Sequence, residues 1–404
     1  MSGGGNAAAN DAIAGLLFLA RAFPQRLIAQ REHRWLQLRR EKAPADVEGQ
    51  TVLIAGGGTG GHLYPGIAVA RELVARVPDA RVTFVGTAAG IEARVIPREG
   101  FELELIRSAG LKGKSLPSLA RGLSLLPLSA ADAWQVITRR RPSVVVGVGG
   151  YSSGPVVMLA AARGVPTLLM EQNAVPGLTN RLLAQVVNAA AVTYDEAMRF
   201  FGSKAFVSGN PVRPEFFRGG ATHDQHQVRV LVFGGSQGAH AINVAMVEAA
   251  PRLASATARL AITHQTGERD LEMVRDGYRR AGLEARAEPF LYTMDREMTS
   301  ADIVVSRAGA TTLAELTAAG RPSILVPLPT ATDDHQRKNA EALVRQGAAS
   351  MVEQRELTGE RLAAEIVALA GNTERRHAMG EAARRLARPD AAQVIVDRML
   401  AIAR

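Results

Sequence analysis

The chain of 404 residues has no cysteine, which excludes disulfides, thiolate metal sites and cysteine nucleophiles. Aromatic residues make up 4%, too few for a protein that reads single-stranded nucleic acid by stacking on its bases. The apolar run from Ala12 to Ala20 is nine residues long and too short to span a bilayer. No Asp-x-Asp pair occurs anywhere, so the usual carboxylate pair for a nucleotide-bound metal is missing. No metal site and no tightly bound cofactor are therefore expected, and a dependence on Mg²⁺ stays open.

What is present is an Ala- and Gly-rich composition, 47% hydrophobic, with a formal charge of +9. The composition is that of a soluble α/β protein, and the length suits two domains plus extras. The positive charge fits nucleic acid, anionic lipid or a phosphorylated substrate equally well. Residues 1–49 read as an extension. Its stretch from Arg21 to Lys42 carries seven Arg or Lys against two Glu. The charge follows the apolar run instead of preceding it, which argues against a signal peptide. Either a helix lying on an anionic membrane or a poorly ordered tail accounts for it, and Pro24 interrupts any single long helix.

From Gln50 the pattern changes to strand, glycine loop and helix. Thr51 to Ala55 is a buried strand that runs into Gly56-Gly57-Gly58-Thr59-Gly60-Gly61-His62, with a helix expected from about Tyr64 to Arg76 and Pro65 in its first turn. The loop satisfies G-x-G-x-x-G, but no acid follows the next strand to hold a ribose, so it reads as a generic phosphate-approach loop. A second copy follows: Val228 to Phe233, then Gly234-Gly235-Ser236-Gln237-Gly238-Ala239-His240, then a helix from Ala241 to Ala254. Two such units predict two doubly wound α/β domains. Their expected bounds are 50–215 and 228–389, with a linker at 216–227 and a terminal helix at 390–404 packing back on the first domain.

The richest stretch lies between Asp302 and Gln336. Ile303 to Val305 is a β-branched run, Ser306 to Ala310 turns the chain, and Thr311 or Thr312 is expected to cap a helix ending at Gly320. A bare helix N-terminus at the carboxyl edge of a sheet suits phosphate. Glu315, one turn further in, is placed to accept two vicinal ribose hydroxyls, or is an ordinary exposed helix residue. In the first domain, Val144 to Pro155 is strand, glycine turn and helix start. Thr167 to Asn173 ends a strand in Glu171-Gln172-Asn173, where side chains of parallel sheets point into a ligand crevice; a cap of the next helix is the equal alternative for Glu171. Arg213 either meets a phosphate or braces the hinge.

The motifs GGGTGGHLYPG, GVGGYSSGP, EQNAVPGLTN, GNPVR, GGSQGAH and RAGATTLAEL occur in that order. Together they resemble the MurG family of bacterial GlcNAc transferases, from about Thr51 to the C-terminus. The resemblance implies a GT-B fold, two Rossmann-like domains with an interdomain cleft. It also implies inverting transfer of GlcNAc from UDP-GlcNAc to the muramoyl 4-hydroxyl of undecaprenyl-linked lipid I, at the cytoplasmic face of the cell membrane. By resemblance, Thr59, Gly60, Gly61, Asn173, Arg213, Ser236, Gln237, Leu291, Ala310, Thr311, Thr312, Leu313, Ala314, Glu315 and Gln336 match donor contacts. Gly149, Gly150 and Tyr151 fall to the acceptor. The segment before Gln336 reads Thr332-Asp333-Asp334-His335 and departs from the family pattern.

The chemistry itself needs a stabilised pyrophosphate leaving group and one base. Helix N-termini and loop amides supply the first, with Arg213 assisting. His62 or Glu171 supplies the second. A lipid acceptor also needs a membrane-facing surface, for which the segment Arg107 to Arg141 offers seven Arg or Lys beside a series of leucines; the same pattern describes a core-facing helix with a solvated loop. The alternatives are another GT-B enzyme, either a lipid glycosyltransferase or a UDP-GlcNAc 2-epimerase, and a non-enzymatic nucleotide-sugar or nucleic-acid binder.

Overall fold

The computed structural model describes residues 50–108, 125–218, 227–235, 237–331 and 334–403. The extension before Gln50 lies outside them, as do Ser236, Thr332, Asp333 and most of the expected linker.

Two parallel sheets organise the described chain. The first holds β1 (Thr51–Gly56), β2 (Arg81–Gly86), β3 (Glu102–Leu105), β4 (Val144–Gly149), β5 (Thr167–Glu171), β6 (Ala189–Val192) and β7 (Ala205–Val207) in the order β3-β2-β1-β4-β5-β6-β7. Between these strands run α1 (Gly60–Arg76), α2 (Glu92–Arg98), α3 (Leu126–Arg140), α4 (Ser153–Ala162), α5 (Leu178–Leu183) and α6 (Asp195–Met198). Strands such as Val144-Val145-Val146 are wholly buried, because helices cover both faces of a parallel sheet and leave no solvated side to alternate with.

The second sheet orders β8 (Gln227–Phe233), β9 (Arg259–Gln265), β10 (Ala285–Glu288), β11 (Ile303–Ser306), β12 (Ser323–Leu325) and β13 (Ala349–Met351) as β10-β9-β8-β11-β12-β13. Its helices are α7 (His240–Ala254), α8 (Leu271–Ala281), α9 (Met294–Ser300), α10 (Ala310–Ala319), α11 (His335–Arg345), α12 (Gly359–Ala370) and α13 (Thr373–Arg385). The last helix, α14 (Ala391–Ile402), lies against α1. There Arg76 donates to Asp397 at 2.6 Å and to the carbonyl of Gln393 at 3.4 Å.

Strand order reverses between β1 and β4 and again between β8 and β11. At such switch points the connections leave in opposite directions and open a crevice at the carboxyl ends of the strands. All the glycine loops singled out in the sequence sit at these two crevices.

Three local expectations are corrected. Helix α1 begins at Gly60, after an extended Thr59, so Pro65 lies inside the helix. Helix α10 is entered from Gly309, which makes no side-chain cap, and Thr311 and Thr312 are already helical; Gly320 does close it in the left-handed conformation, φ 62°. Phe216, assigned to the linker from its polar surroundings, is fully buried with Leu231, Phe233 and Met298 of the second domain.

Candidate active site

His62 sits in the first turn of α1, half-buried. Its Nδ1 is 3.2 Å from Thr59 Oγ1. The other edge of the ring lies so close to Gly149 that a Cβ there would stand 2.7 Å from Cδ2. Gly149 also has φ 97°, so two independent constraints require glycine beside the imidazole. Burial, and then the neighbouring His335, push the His62 pKa down to about 4. The ring is therefore neutral at physiological pH.

The glycine loop ahead of His62 is not the phosphate cradle that its spacing suggested. The amide of Gly57 donates to Gly149 O at 3.2 Å. The amide of Gly58 donates at 2.8 Å to the carboxylate of Glu92, which is 1% exposed and also accepts the amide and hydroxyl of Thr87 at 2.8 and 3.0 Å. A protein carboxylate thus occupies the donors that an anion would need. The helical amides of Gly60 and Gly61 remain, since a helix start offers them no internal acceptor.

Glu171 is committed to the turn that follows it. It is 3% exposed. Oε1 accepts the amide and the Nδ2 of Asn173, both at 3.0 Å, while Oε2 accepts Asn180 Nδ2 at 2.8 Å and the Gly177 amide at 3.3 Å. Burial raises its pKa, and the Asn173, Asn180 and Gly177 donors oppose that rise. Four donors on two oxygens make Glu171 the hub of the 171–180 turn.

Across the crevice, Glu315 projects from α10. Burial lifts its pKa to about 7, with Arg213 pulling the other way and Asp295 adding to the rise. The Arg213 guanidinium carbon lies 5.7 Å from the ring centre of Tyr64 and 5.0 Å from that of Phe216, so Arg213 spans from the end of the first domain toward the second. Gln336 accepts the amides of Ala308 and Leu328 through Oε1 at 3.2 and 3.0 Å, which fixes the orientation of its side-chain amide. Leu313 is 0% exposed and Leu291 7%, so both side chains belong to the core. Only their backbones can reach a ligand.

Gln265, at the carboxyl end of β9, was missed in the sequence. It donates to the carbonyl of Gly235 and accepts the amide of Leu291, each at 2.8 Å, and so ties the second glycine loop to the Leu291 segment. Gln237 is exposed in that loop, while Ser236 lies outside the described residues. Behind the loop, His240 bonds Asp270 at 2.9 Å and Asn243 donates to Asp270 and to Thr266 O. Asn339 was also missed: it is fully buried in α11 and bonds to Asn173 and Ala174 of the first domain.

Of the acceptor candidates, Gly149 and Gly150 line the β4 edge beside His62. A Cβ on Gly150 would fall 2.4 Å from Gly57 O, so the loops after β1 and β4 interlock. Tyr151 is 55% exposed, and its carbonyl accepts Ser108 Oγ at 3.0 Å. Ala310, Thr312 and Ala314 line the first turns of α10, partly exposed.

Models of the glycosyltransferase family 28 N-terminal and C-terminal domains match residues 52–192 and 229–395. The UDP-N-acetylglucosamine–N-acetylmuramyl-(pentapeptide) pyrophosphoryl-undecaprenol N-acetylglucosamine transferase of Anaeromyxobacter sp. (strain K) is 52% identical over 351 residues, covering 86% of this chain and 91% of its own. The protein of the same description from Pelobacter propionicus is 48% identical over 373 residues, covering 86% and 98%. The chain belongs to the MurG family of glycosyltransferases. The crystal structure of Acinetobacter baumannii MurG superposes with a TM-score of 0.71 at 30% identity, over 87% of this chain and 99% of that one. The two α/β domains are thus the GT-B fold of MurG. A Neisseria meningitidis UDP-GlcNAc 2-epimerase, at TM-score 0.62 and 13% identity over 87% and 100%, shares the fold alone.

Proposed function

We propose that the chain transfers GlcNAc from UDP-GlcNAc to the muramoyl 4-hydroxyl of lipid I, giving lipid II in a single inverting displacement. The observation that carries this reading is the direct contact between the two crevices: the Thr311 hydroxyl donates to Gly61 O at 2.9 Å. The peptide that bears His62 and the first turn of α10 therefore meet at one point.

In this reading Glu315, as a carboxylate, accepts two ribose hydroxyls, and Gln336 Nε2 contacts the sugar. The amides of Ala310, Thr311 and Thr312, the Ser236-Gln237 loop and Arg213 take the charge that develops on the departing diphosphate. Thr59, Gly60, Gly61 and Asn173 border the donor from the first domain. Gly149, Gly150 and Tyr151 guide the acceptor hydroxyl to His62, which removes its proton. The bound diphosphate favours an imidazolium nearby and raises the low pKa of His62 toward the working range. Measuring UDP release with and without a water-soluble lipid I analogue tests the assignment. His62→Ala is expected to lower acceptor-dependent release by a factor of roughly 100 or more with UDP affinity nearly unchanged. Retention of most turnover would remove His62 as the base.

The lipid acceptor requires a peripheral position on an anionic membrane, at the cytoplasmic face where UDP-GlcNAc is available. Among the described residues no helix is long and apolar enough to cross a bilayer. Supporting a surface role, α3, α4 and α5 pack side by side and leave Trp134 53%, Leu178 49% and Leu182 63% exposed, with Arg163 stacked 4.5 Å over Trp134. Of the basic segment Arg107 to Arg141, Lys112, Lys114 and Arg121 lie outside the described residues, and three of the other four are paired. Arg139 and Arg140 are bonded to Glu104 at 2.6 Å, Arg140 also to Glu102 at 2.5 Å, and Arg107 to Asp132 at 2.6 Å. Reversing those charges would break ion pairs on β3 and α3 before it reported on a membrane. The double change Trp134→Ser, Leu182→Ser is the better test: binding to phosphatidylglycerol vesicles falls while turnover of a soluble acceptor persists.

A further inference from the structure

One of the contacts between the two domains is a three-residue hydrogen-bond relay, and its chemistry starts from a proline. In a helix the amide at position 65 would donate to the carbonyl of Gly61. Pro65 has no N–H and lies inside α1, so that carbonyl lacks its helical donor. The Thr311 hydroxyl fills the vacancy at 2.9 Å and in turn accepts Asn210 Nδ2 at 3.4 Å. Thr311 belongs to the second domain, while Asn210, Gly61 and Pro65 belong to the first. Asn210 is 4% exposed, so the relay runs through protein and not through solvent.

The carbonyl of Gly61 and the amide of His62 are one peptide unit. A bond to that carbonyl therefore holds the plane from which the imidazole projects, and the ring itself is held by Thr59 and Gly149 as described. On the other side, Thr311 is the second residue of α10, one turn ahead of Glu315. The gap at Gly61 is not filled by packing alone: a Cβ built there would stand 3.8 Å from both Thr311 Oγ1 and Thr59 Oγ1, ordinary contact. What links the segments is the hydroxyl.

We infer that the Thr311 side chain is a positioning residue that couples the donor helix to His62, with Pro65 keeping the Gly61 carbonyl free to receive it. The role is separate from any donor contact made by the Thr311 amide, and it rests on the reading of His62 as the base. Its logic is geometric: an error of about 1 Å between a base and the reacting hydroxyl costs on the order of a hundredfold in rate, and this hydrogen bond sets that separation directly.

The test pairs Thr311→Val, which keeps the shape and loses the donor, with Thr311→Ser, which keeps the donor. For Thr311→Val the expected result is a kcat at least tenfold lower with the soluble lipid I analogue, and a KM for UDP-GlcNAc and a calorimetric Kd for UDP within about threefold of wild type. Thr311→Ser is expected to recover most of the kcat. Pro65→Ala returns a competing amide to Gly61 and should lower kcat in the same direction. A second readout does not depend on catalysis: hydrogen exchange of the peptide 59–64 should slow when UDP binds the wild type and change far less in Thr311→Val. If kcat in Thr311→Val stays within twofold, or if UDP affinity falls in step with kcat, the positioning role is overturned. If the exchange coupling is lost as expected but His62→Ala keeps its turnover, the coupling stands and the choice of base fails instead.

Discussion

Asn339 holds Asn173 across the domain boundary: its Nδ2 donates to Asn173 Oδ1 at 3.1 Å, and its Oδ1 accepts the amide of the adjacent Ala174 at 2.9 Å. Asn339 is completely buried and Ala174 is 5% exposed. Asn339→Ala would take from the buried Ala174 amide the acceptor that it has. The expected cost is about 1–3 kcal/mol, read as a lower urea midpoint. An unchanged midpoint would mean that the two domains do not rely on this pair.

Asn173 passes the same tie on to Glu171, whose two oxygens accept four donors. Glu171→Gln replaces one acceptor oxygen by an NH₂ group that meets donors head-on. Stability should fall by about 1–3 kcal/mol, and turnover should fall with it because the turn carries Asn173. The apparent pKa of the rate profile should not move. Disappearance of an acid limb in Glu171→Gln, with the protein folded and binding UDP, would return the base role to Glu171.

Strands such as Val144 to Gly149 and Ile303 to Ser306 were legible because both faces of a parallel sheet are buried and the apolar run is continuous. The glycine loops were legible as loops, but the anion that fills the first of them is Glu92, whose donors Gly58 and Thr87 converge only when β1 and β2 pair. No local pattern marks a buried carboxylate. Asn339 was invisible for a similar reason: its partner stands 166 residues away. Pro65 was read as a helix start, since proline favours the first turn; the glycines ahead of it took the helical conformation and moved it inside. The ion pairs of the basic segment around Arg140 were not legible because Glu102 and Glu104, which hold Arg139 and Arg140, lie on a different element.

The second domain contains a buried histidine whose tautomer can be deduced. Asn243 donates through Nδ2 to Thr266 O and Asp270, so its Oδ1 must accept the proton of His264 Nε2, 3.0 Å away, while His264 Nδ1 accepts from the Tyr278 hydroxyl at 2.7 Å. Burial pushes the His264 pKa down to about 3, and His62 stands at about 4, both from 6.5. A folded-state pKa below the unfolded one gives stability that is fully present above pH 6.5 and is lost as the pH falls toward the folded values. At pH 4.5 the His264 contribution alone should be down by about 2–3 kcal/mol. Urea midpoints should therefore decline steadily below pH 6.5, and His264→Gln should flatten the decline. A slope that is the same in the variant and the wild type would assign the acid sensitivity to other groups.

Glu315 makes the sharpest prediction about the donor, because its pKa lies near 7 instead of 4.5. Since the folded value is raised, its contribution to stability is fully present below pH 4.5 and is lost as pH rises through about 7. Burial within the protein therefore favours the protonated acid. A ribose that offers two hydroxyl donors favours the carboxylate, which accepts both. Binding must then weaken as the pH falls through 7, by about tenfold between pH 8 and pH 6 if ionisation is required. Uridine is the suitable probe, since it lacks the phosphate of UDP that titrates in the same range. Glu315→Gln should bind uridine weakly and without this pH dependence. Arg213→Ala should move the wild-type curve to higher pH, because the Arg213 charge is what favours the Glu315 carboxylate. Calorimetry at pH 6, 7 and 8 distinguishes the outcomes. A uridine affinity that is level across that range in the wild type would mean that Glu315 does not hold the ribose as an anion.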